Sequence, residues 1–308
     1  MVEEKVHFKQ NPPAKHHYIP AFYTKRWACD DGRILVFSKP HNNVIDRRLF
    51  PDATGYQKNL YRILASDAGE QIEDSFFKPV DNFADQALTK LESDPDFSQW
   101  TRKMRSNWTR FIMSLLLRCP HDLEILRQKW IGRYTQKGSY LAEYYANTRP
   151  EGFPAKLSDY LAAIPPVVIE LSMFSLYQSV IDNEKIGSLI NSMQWCTIDT
   201  SQADLQLLTS DCPVFRTDGL RGPASYLVMP IGPTRLFVAA NRLDVLYRAM
   251  ETPARTLVMK TNRNIVRGAR KYVYAQKLTC QEFSFVRNQF GKAPQLRLIE
   301  EIFSNPLT

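Results

Sequence analysis

The chain has 308 residues and a formal net charge of +8, with 44% hydrophobic and 23% charged residues. That length suits one large domain or two, and that composition excludes a disordered, collagenous or coiled-coil chain. The five scattered cysteines contain no C-x-x-C pair, which argues against a disulfide framework or zinc knuckle. No run approaches the roughly 18 apolar residues of a membrane helix, and the polar, charged N-terminus has no signal-peptide pattern. The expectation is a soluble cytoplasmic protein with no membrane partner.

The opening third reads as irregular segments and short strands. Asp31-Gly32 is a turn, Arg33 to Ser38 a strand, and Asn59 to Ile63 a second strand candidate. From Gln71 the pattern becomes helical. Trp108, Phe111, Ile112, Leu115 and Leu116 recur at i, i+3, i+4, i+7 and i+8, the stripe of a core-facing helix. Cys119-Pro120 ends that helix, because proline disfavours helical geometry in the residue before it. A second helix covers His121 to about Asn147, 148–166 is a loop around a short helix, and Val167 to Met193 reads as one long helix. The last third changes to β-type runs at 194–199, 205–209, 226–230 and 235–240, separated by Gly, Pro and Asp turns. Asn241 to Met250 and Thr261 to Ala269 read as helices, and Lys271 to Ala275 as a strand. The fold class expected is α+β, as one domain over 1–308. A mixed or antiparallel β body is formed from N- and C-terminal segments (14–70 and 194–290), with a large helical insertion at 71–193.

The positive charge is not spread evenly. Between Glu251 and Glu282 there is no acid, yet Arg255, Lys260, Arg263, Arg267, Arg270, Lys271 and Lys277 fall inside. On a helix Arg263 and Arg267 share a face, with Arg270 and Lys271 one turn further. A second acid-free window, Phe97 to His121, holds Arg102, Lys103, Arg105, Arg110 and Arg118 with Trp100 and Trp108 interleaved. Cations beside rings suit a nucleic-acid surface, where charge tracks phosphates and rings stack on bases. A solvated helix face over buried tryptophans has the same sequence pattern.

The chain has no Walker loop, no G-x-G-x-x-G after a strand, no G-x-S-x-G elbow and no H-E-x-x-H. His121-Asp122 resembles the doublet of metal phosphohydrolases, but Asp122 stands where a helix start wants a capping acid. His16-His17 lies in a dense aromatic segment, Lys15 to Trp27, and adjacent residues of an extended chain point to opposite sides. At most one of the two histidines therefore faces a given site. Histidine suits proton transfer near neutrality, and it also packs under aromatic neighbours. Asp211 follows a β-type run and precedes Cys212-Pro213, which fits both a rim carboxylate and an Asx-turn former. Arg118 closes an apolar helix, where it either complements the macrodipole or holds an anion.

Taken in order, these pieces resemble the bacterial domain-of-unknown-function family 4238. The resemblance rests on His16-His17-Tyr18-Ile19-Pro20, Phe22-Tyr23, Trp27, Asp31 to Phe37, Asn59-Leu60-Tyr61 and Gln71-Ile72-Glu73. It continues through Phe111-Ile112, Arg118-Cys119-Pro120, Thr209 to Val214, Met229 to Pro233, Asn262, Ala269 and Tyr272 to Ala275. Members often carry Asn where Cys212 stands. The resemblance implies that His17, Glu73, Arg118, Asp211 and Asn262 share one pocket.

Two functional expectations follow. In the first the protein is a phosphodiester-cleaving nuclease of a defence or toxin type. His17 is then the acid/base, Asp211 and Glu73 hold Mg²⁺ or Mn²⁺, Arg118 stabilises phosphate charge, and Asn262 orients water or substrate. His16, Tyr18, Arg263, Arg267, Arg270 and Lys271 contact the nucleic acid. In the second, the same polar residues form a buried network in a non-catalytic protein that binds nucleic acid, a nucleotide or a protein partner. Exposure discriminates the two. Convergence on an open cleft favours the enzyme, and a sealed, mutually hydrogen-bonded set favours the scaffold.

Overall fold

The computed structural model describes residues 15–61, 72–94, 97–135, 140–217 and 219–304. Strands and one short helix come first: β1 (Lys15–His17), α1 (Ala21–Thr24), β2 (Ile34–Ser38), β3 (Ile45–Leu49) and β4 (Tyr56–Lys58). A π-helical turn at Ile72–Phe77 leads into α2 (Lys78–Ser93), then α3 (Arg102–Leu117), α4 (Pro120–Thr135) and α5 (Tyr140–Thr148). Next are α6 (Leu157–Ala163), α7 (Pro166–Ile181) and α8 (Glu184–Ser192). The remainder runs β5 (Gln194–Asp199), β6 (Thr209–Ser210), β7 (Phe215–Arg216), β8 (Tyr226–Gly232) and β9 (Arg235–Ala240). It closes with α9 (Leu243–Glu251), α10 (Ala254–Gly268), β10 (Tyr272–Ala275), α11 (Cys280–Gln289) and α12 (Leu298–Ser304).

The chain is α+β, and its strand pairs are antiparallel. One sheet, in the order β3-β2-β10-β6, joins strands from both ends of the chain; a second, β5-β9-β8-β7, is built from the C-terminal third alone. β1 pairs with β4 in a separate ribbon. The N-terminal aromatics tie these parts together. The Tyr23 hydroxyl donates to the Pro230 carbonyl at 2.7 Å, and the Trp27 indole N–H donates to the Leu207 carbonyl at 2.7 Å. Burying these two large rings also removes apolar area from water, and their polar tips find partners. Gly55 has a φ of +68°, and a Cβ there would lie 2.9 Å from the Ile19 carbonyl oxygen. Only glycine meets both demands, and its own carbonyl accepts from the Tyr18 and Ile19 amides.

α3 is the helix the apolar stripe describes. Thr101 caps it by accepting from the Met104 amide at 3.2 Å, and Trp108, Phe111, Ile112, Leu115 and Leu116 are all buried. Several other expectations need correction. The candidate strand from Asn59 is a turn, because β4 ends at Lys58 and Asn59 has a φ of 56°; its end at Ile63 lies outside the described residues. The long helix expected over 167–193 is two, broken where Asn183 accepts from the Ile186 amide at 3.0 Å and caps α8. The run 205–209 joins its sheet only at Thr209, because the Leu207 amide donates to the Pro233 carbonyl and the Leu208 amide to the Asn262 side chain. α10 starts seven residues before its expected beginning, directly after Pro253, whose fixed φ is compatible with a helix entry. Among the described residues no single helix is long and apolar enough to cross a membrane.

Candidate functional site

Arg118 caps the C-terminus of α3 and is fully buried. Its guanidinium forks onto Asp81 of α2, with bonds of 2.7 and 3.1 Å to the two carboxylate oxygens. It also donates to the His17 carbonyl at 2.7 Å and lies over the Phe77 ring at 4.8 Å. This is a bidentate, charge-assisted pair in a low-dielectric site. Glu73, on the π-helical turn, stands near enough to feel Arg118; burial pushes its carboxyl up to about 7, and the guanidinium opposes the shift. The His17 ring donates through Nε2 to the Asp52 carbonyl at 3.3 Å, and burial holds its pKa below the ordinary histidine value. His16 faces the other way, as strand alternation requires. Its Nδ1 accepts from the Tyr61 amide at 3.1 Å and its ring stacks on Tyr61 at 5.4 Å. Glu73, Arg118 and the His17 backbone carbonyl therefore do come together in a buried network, in which Asp81 is the partner the sequence reading missed, while the His17 ring is only half-buried.

Asn262 sits elsewhere in the bonding pattern. From α10 its Oδ1 accepts the Leu208 amide and its Nδ2 donates to the Gln206 carbonyl, both at 2.8 Å. Both ends of the amide are used to hold 206–208 against the helix. Asn262 borders a cavity of about 490 Å³ together with the exposed Arg263.

Asp211 belongs to a different cavity, a cleft of about 610 Å³. Its buried members are Tyr18, Leu60, Cys119 and Asp211; His121, Arg127, Arg270 and Lys271 line it with more solvent exposure. The Asp211 carboxylate accepts the Arg270 amide at 3.0 Å and the Lys271 amide at 2.7 Å, while its own amide donates to the Tyr272 carbonyl. The aspartate thus latches the end of β6 to the start of β10. Burial pushes its pKa up to about 6, and the backbone N–H groups limit the rise. The Tyr18 hydroxyl is buried with no hydrogen-bond partner among the described residues, as is Nε of Arg270. Burial also raises the Tyr18 pKa. Among the described residues, the His, Cys, Asp and Glu side chains close enough to share an ion are Cys119, Asp211 and Cys212, and Glu73 is not one of them.

The basic segment divides. Arg270 and Lys271 face the cleft, Lys260 and Arg263 the second cavity, Arg267 is half-buried, and Arg255 is ion-paired with Asp204. The earlier acid-free window is largely committed to internal partners. Arg105 lies 3.7 Å from the Trp195 ring centroid and donates to the Asn191 and Met193 carbonyls, Arg110 forks onto Asp182, and Trp108 is fully buried. Trp108 is buried as the solvated-face alternative has it, but Arg105, Arg110 and Arg118 are held by protein partners rather than spread over a solvated face. Asp122, read as a capping acid, does accept the Cys119 amide at 3.1 Å, but it is also clamped by Arg297 at 2.7 and 2.6 Å. Arg297 adds a bond of 2.8 Å to the Leu116 carbonyl. Nothing local in the sequence around Arg297 signals this partner.

Residues 15–279 match the family described as Protein of unknown function (DUF4238). The chain belongs to that family. The matched span holds His17, Glu73, Arg118, Asp211 and Asn262, and Arg297 lies beyond it. No curated protein and no solved structure matches the chain.

Proposed function

We propose that the cleft binds a phosphate-bearing ligand, a nucleotide unit either free or within an accessible nucleic-acid strand. The observation that carries this reading is the position of Arg270 and Lys271. They stand side by side on a cleft of about 610 Å³, and the buried Nε of Arg270 has no hydrogen-bond partner among the described residues. A guanidinium fork beside an ammonium is the donor set that phosphate oxygens satisfy. The volume falls within the roughly 300–1,000 Å³ of small-molecule sites. Arg127 adds a third cation, steadied by the Leu60 carbonyl and Glu170. In this reading Arg118, His17, Glu73 and Asn262 support the fold rather than touch the ligand.

Phosphodiester cleavage is the second reading, favoured by Asp211, Tyr18 and His121 bordering the same cleft. One experiment addresses both. Fluorescent single- and double-stranded DNA and RNA, and labelled mononucleotides, are titrated with the protein at rising salt, with Mg²⁺, Mn²⁺ or EDTA, and the same samples are run on denaturing gels. Binding should weaken steeply with salt, and Arg270→Glu or Lys271→Glu should weaken it about tenfold or more. A preference for mononucleotides or for strands distinguishes the two ligand sources. Binding that ignores both substitutions, or no binding of any probe by folded protein, removes the reading. Cleavage lost with Asp211→Asn moves it to the second.

A further inference from the structure

Cys119 precedes α4, at the junction that follows α3, and Asp211-Cys212 forms the turn after β6. Folding brings both sulfurs and a carboxylate oxygen within 4.8 Å of one another. Both cysteines are free thiols, and all three residues are buried. Cys119 and Asp211 nonetheless border the cleft. Each half of the group is held from behind. The Cys119 amide donates to Asp122, which Arg297 clamps, and the Asp211 carboxylate is oriented by the Arg270 and Lys271 amides. Each carboxylate oxygen accepts one of those bonds and keeps a further lone pair.

We propose that Cys119, Cys212 and Asp211 form a site for a thiophilic divalent cation, Zn²⁺, with its fourth coordination position open to the cleft. Two thiolates and one carboxylate are zinc donors, whereas Mg²⁺ and Mn²⁺ prefer all-oxygen sets. Around tetrahedral zinc, with Zn–S near 2.3 Å and Zn–O near 2.0 Å, donor atoms lie about 3.5–3.8 Å apart. A group already within 4.8 Å closes to that spacing by side-chain rotation of about 1 Å. Tyr18 supplies an independent observation. Its hydroxyl is fully buried without a partner among the described residues, and Tyr18 borders the cleft together with Cys119 and Asp211. A water or ligand oxygen in the open position gives that hydroxyl its missing hydrogen bond. The backbone N–H groups on Asp211 act as the outer partners that orient a ligating carboxylate. Loading exchanges two thiol protons for the cation and releases them to solvent.

The site is independent of phosphate binding, because metal content is read without any ligand. The untagged full chain is reduced, dialysed against Zn²⁺ and then against metal-free buffer, and its zinc is measured by mass spectrometry. One equivalent should remain. Cys212→Ser and Cys119→Ser should lose it, and Cys196→Ser, outside the group, should keep it. Serine at a buried cysteine can unfold the chain, so the unmodified protein is also titrated with Co²⁺. Thiolate-to-cobalt charge-transfer absorption and intense tetrahedral visible bands are expected, together with protection of two thiols from alkylation that EDTA reverses. Folded protein that retains no zinc, a cobalt spectrum without a thiolate band, or full retention by folded Cys212→Ser overturns the proposal.

Discussion

The sharpest test of the site assignment is the Arg118–Asp81 pair. Arg118 is fully buried, and its two bonds to the Asp81 carboxylate compensate its charge. Asp81→Ala leaves a buried guanidinium whose remaining hydrogen bond goes to the His17 carbonyl. Breaking one side of such a pair costs about 3–5 kcal/mol. Arg118→Met should cost less, about 2–4 kcal/mol, since the abandoned Asp81 side chain is 20% exposed and can hydrate or take up a proton. The double variant Asp81→Ala/Arg118→Met should fall short of the sum by about 1–3 kcal/mol, because no orphan charge is left. Urea unfolding at neutral pH, followed by tryptophan fluorescence, measures all of these. Trp27 and Trp108 are buried, which makes their emission sensitive to unfolding. An Arg118→Met protein within about 1 kcal/mol of the parent that has lost ligand binding or cleavage would refute the reasoning. It would return Arg118 to the role of a reacting or ligand-holding group.

Other outcomes follow from single residues. Glu73 has its carboxyl pushed up from 4.5 to about 7 in the folded chain. Its contribution to stability is therefore fully present below the unfolded pKa and is lost as pH rises through 7. Glu73→Gln should gain roughly 3 kcal/mol at pH 8 and little at pH 4; equal effects at both pH values in urea titrations would count against the buried-acid account. Asn262→Ala strands the buried Leu208 amide and the Gln206 carbonyl and should cost about 2–4 kcal/mol without changing ligand affinity. A loss of affinity at unchanged stability would show that Asn262 works on the ligand after all. Arg297→Met leaves the buried Asp122 charge with only the Cys119 amide as donor and should cost about 3–5 kcal/mol; thermal melts that do not move would mean the Arg297 clamp contributes little to the fold.

Local physics made much of this fold legible. The α3 stripe, the turn at Asp31-Gly32 and the strand β9 all follow from periodicity and turn chemistry acting over a few residues. The opposite orientation of His16 and His17 follows from strand alternation alone. Leu205 to Thr209 failed for the converse reason. Its composition suits a strand, but the partners of its amides are chosen by Asn262 and Pro233, far along the chain. Arg118 shows the same limit at the site. Its late-helix position was visible, but its charge partner Asp81 is supplied by packing of α2 on α3. Arg297 and Asp122 could not be paired from sequence at all, because no spacing rule links residues so distant.

The two polar groups nevertheless communicate through the chain itself. Arg118 is followed by Cys119, and the carbonyl it grips belongs to His17, which is followed by Tyr18. One guanidinium therefore fixes the backbone immediately ahead of two buried members of the cleft, Cys119 and Tyr18. Under the proposed phosphate-binding reading, this is the route by which a residue sealed from solvent would act on the cleft. It also separates a supporting role from direct contact. Asp81→Asn keeps side-chain volume and loosens the Arg118 fork, so it should weaken phosphate-ligand binding by a few-fold, while Arg118 remains in place. A direct contact would instead lose affinity only when Arg118 itself is changed. Comparing ligand affinities of Asp81→Asn and Arg270→Glu in protein of verified fold decides between them: a measurable loss in the first and a larger one in the second is the pattern of a support acting through the Tyr18 and Cys119 backbone. No loss in Asp81→Asn would mean that the cleft is positioned independently of the buried pair.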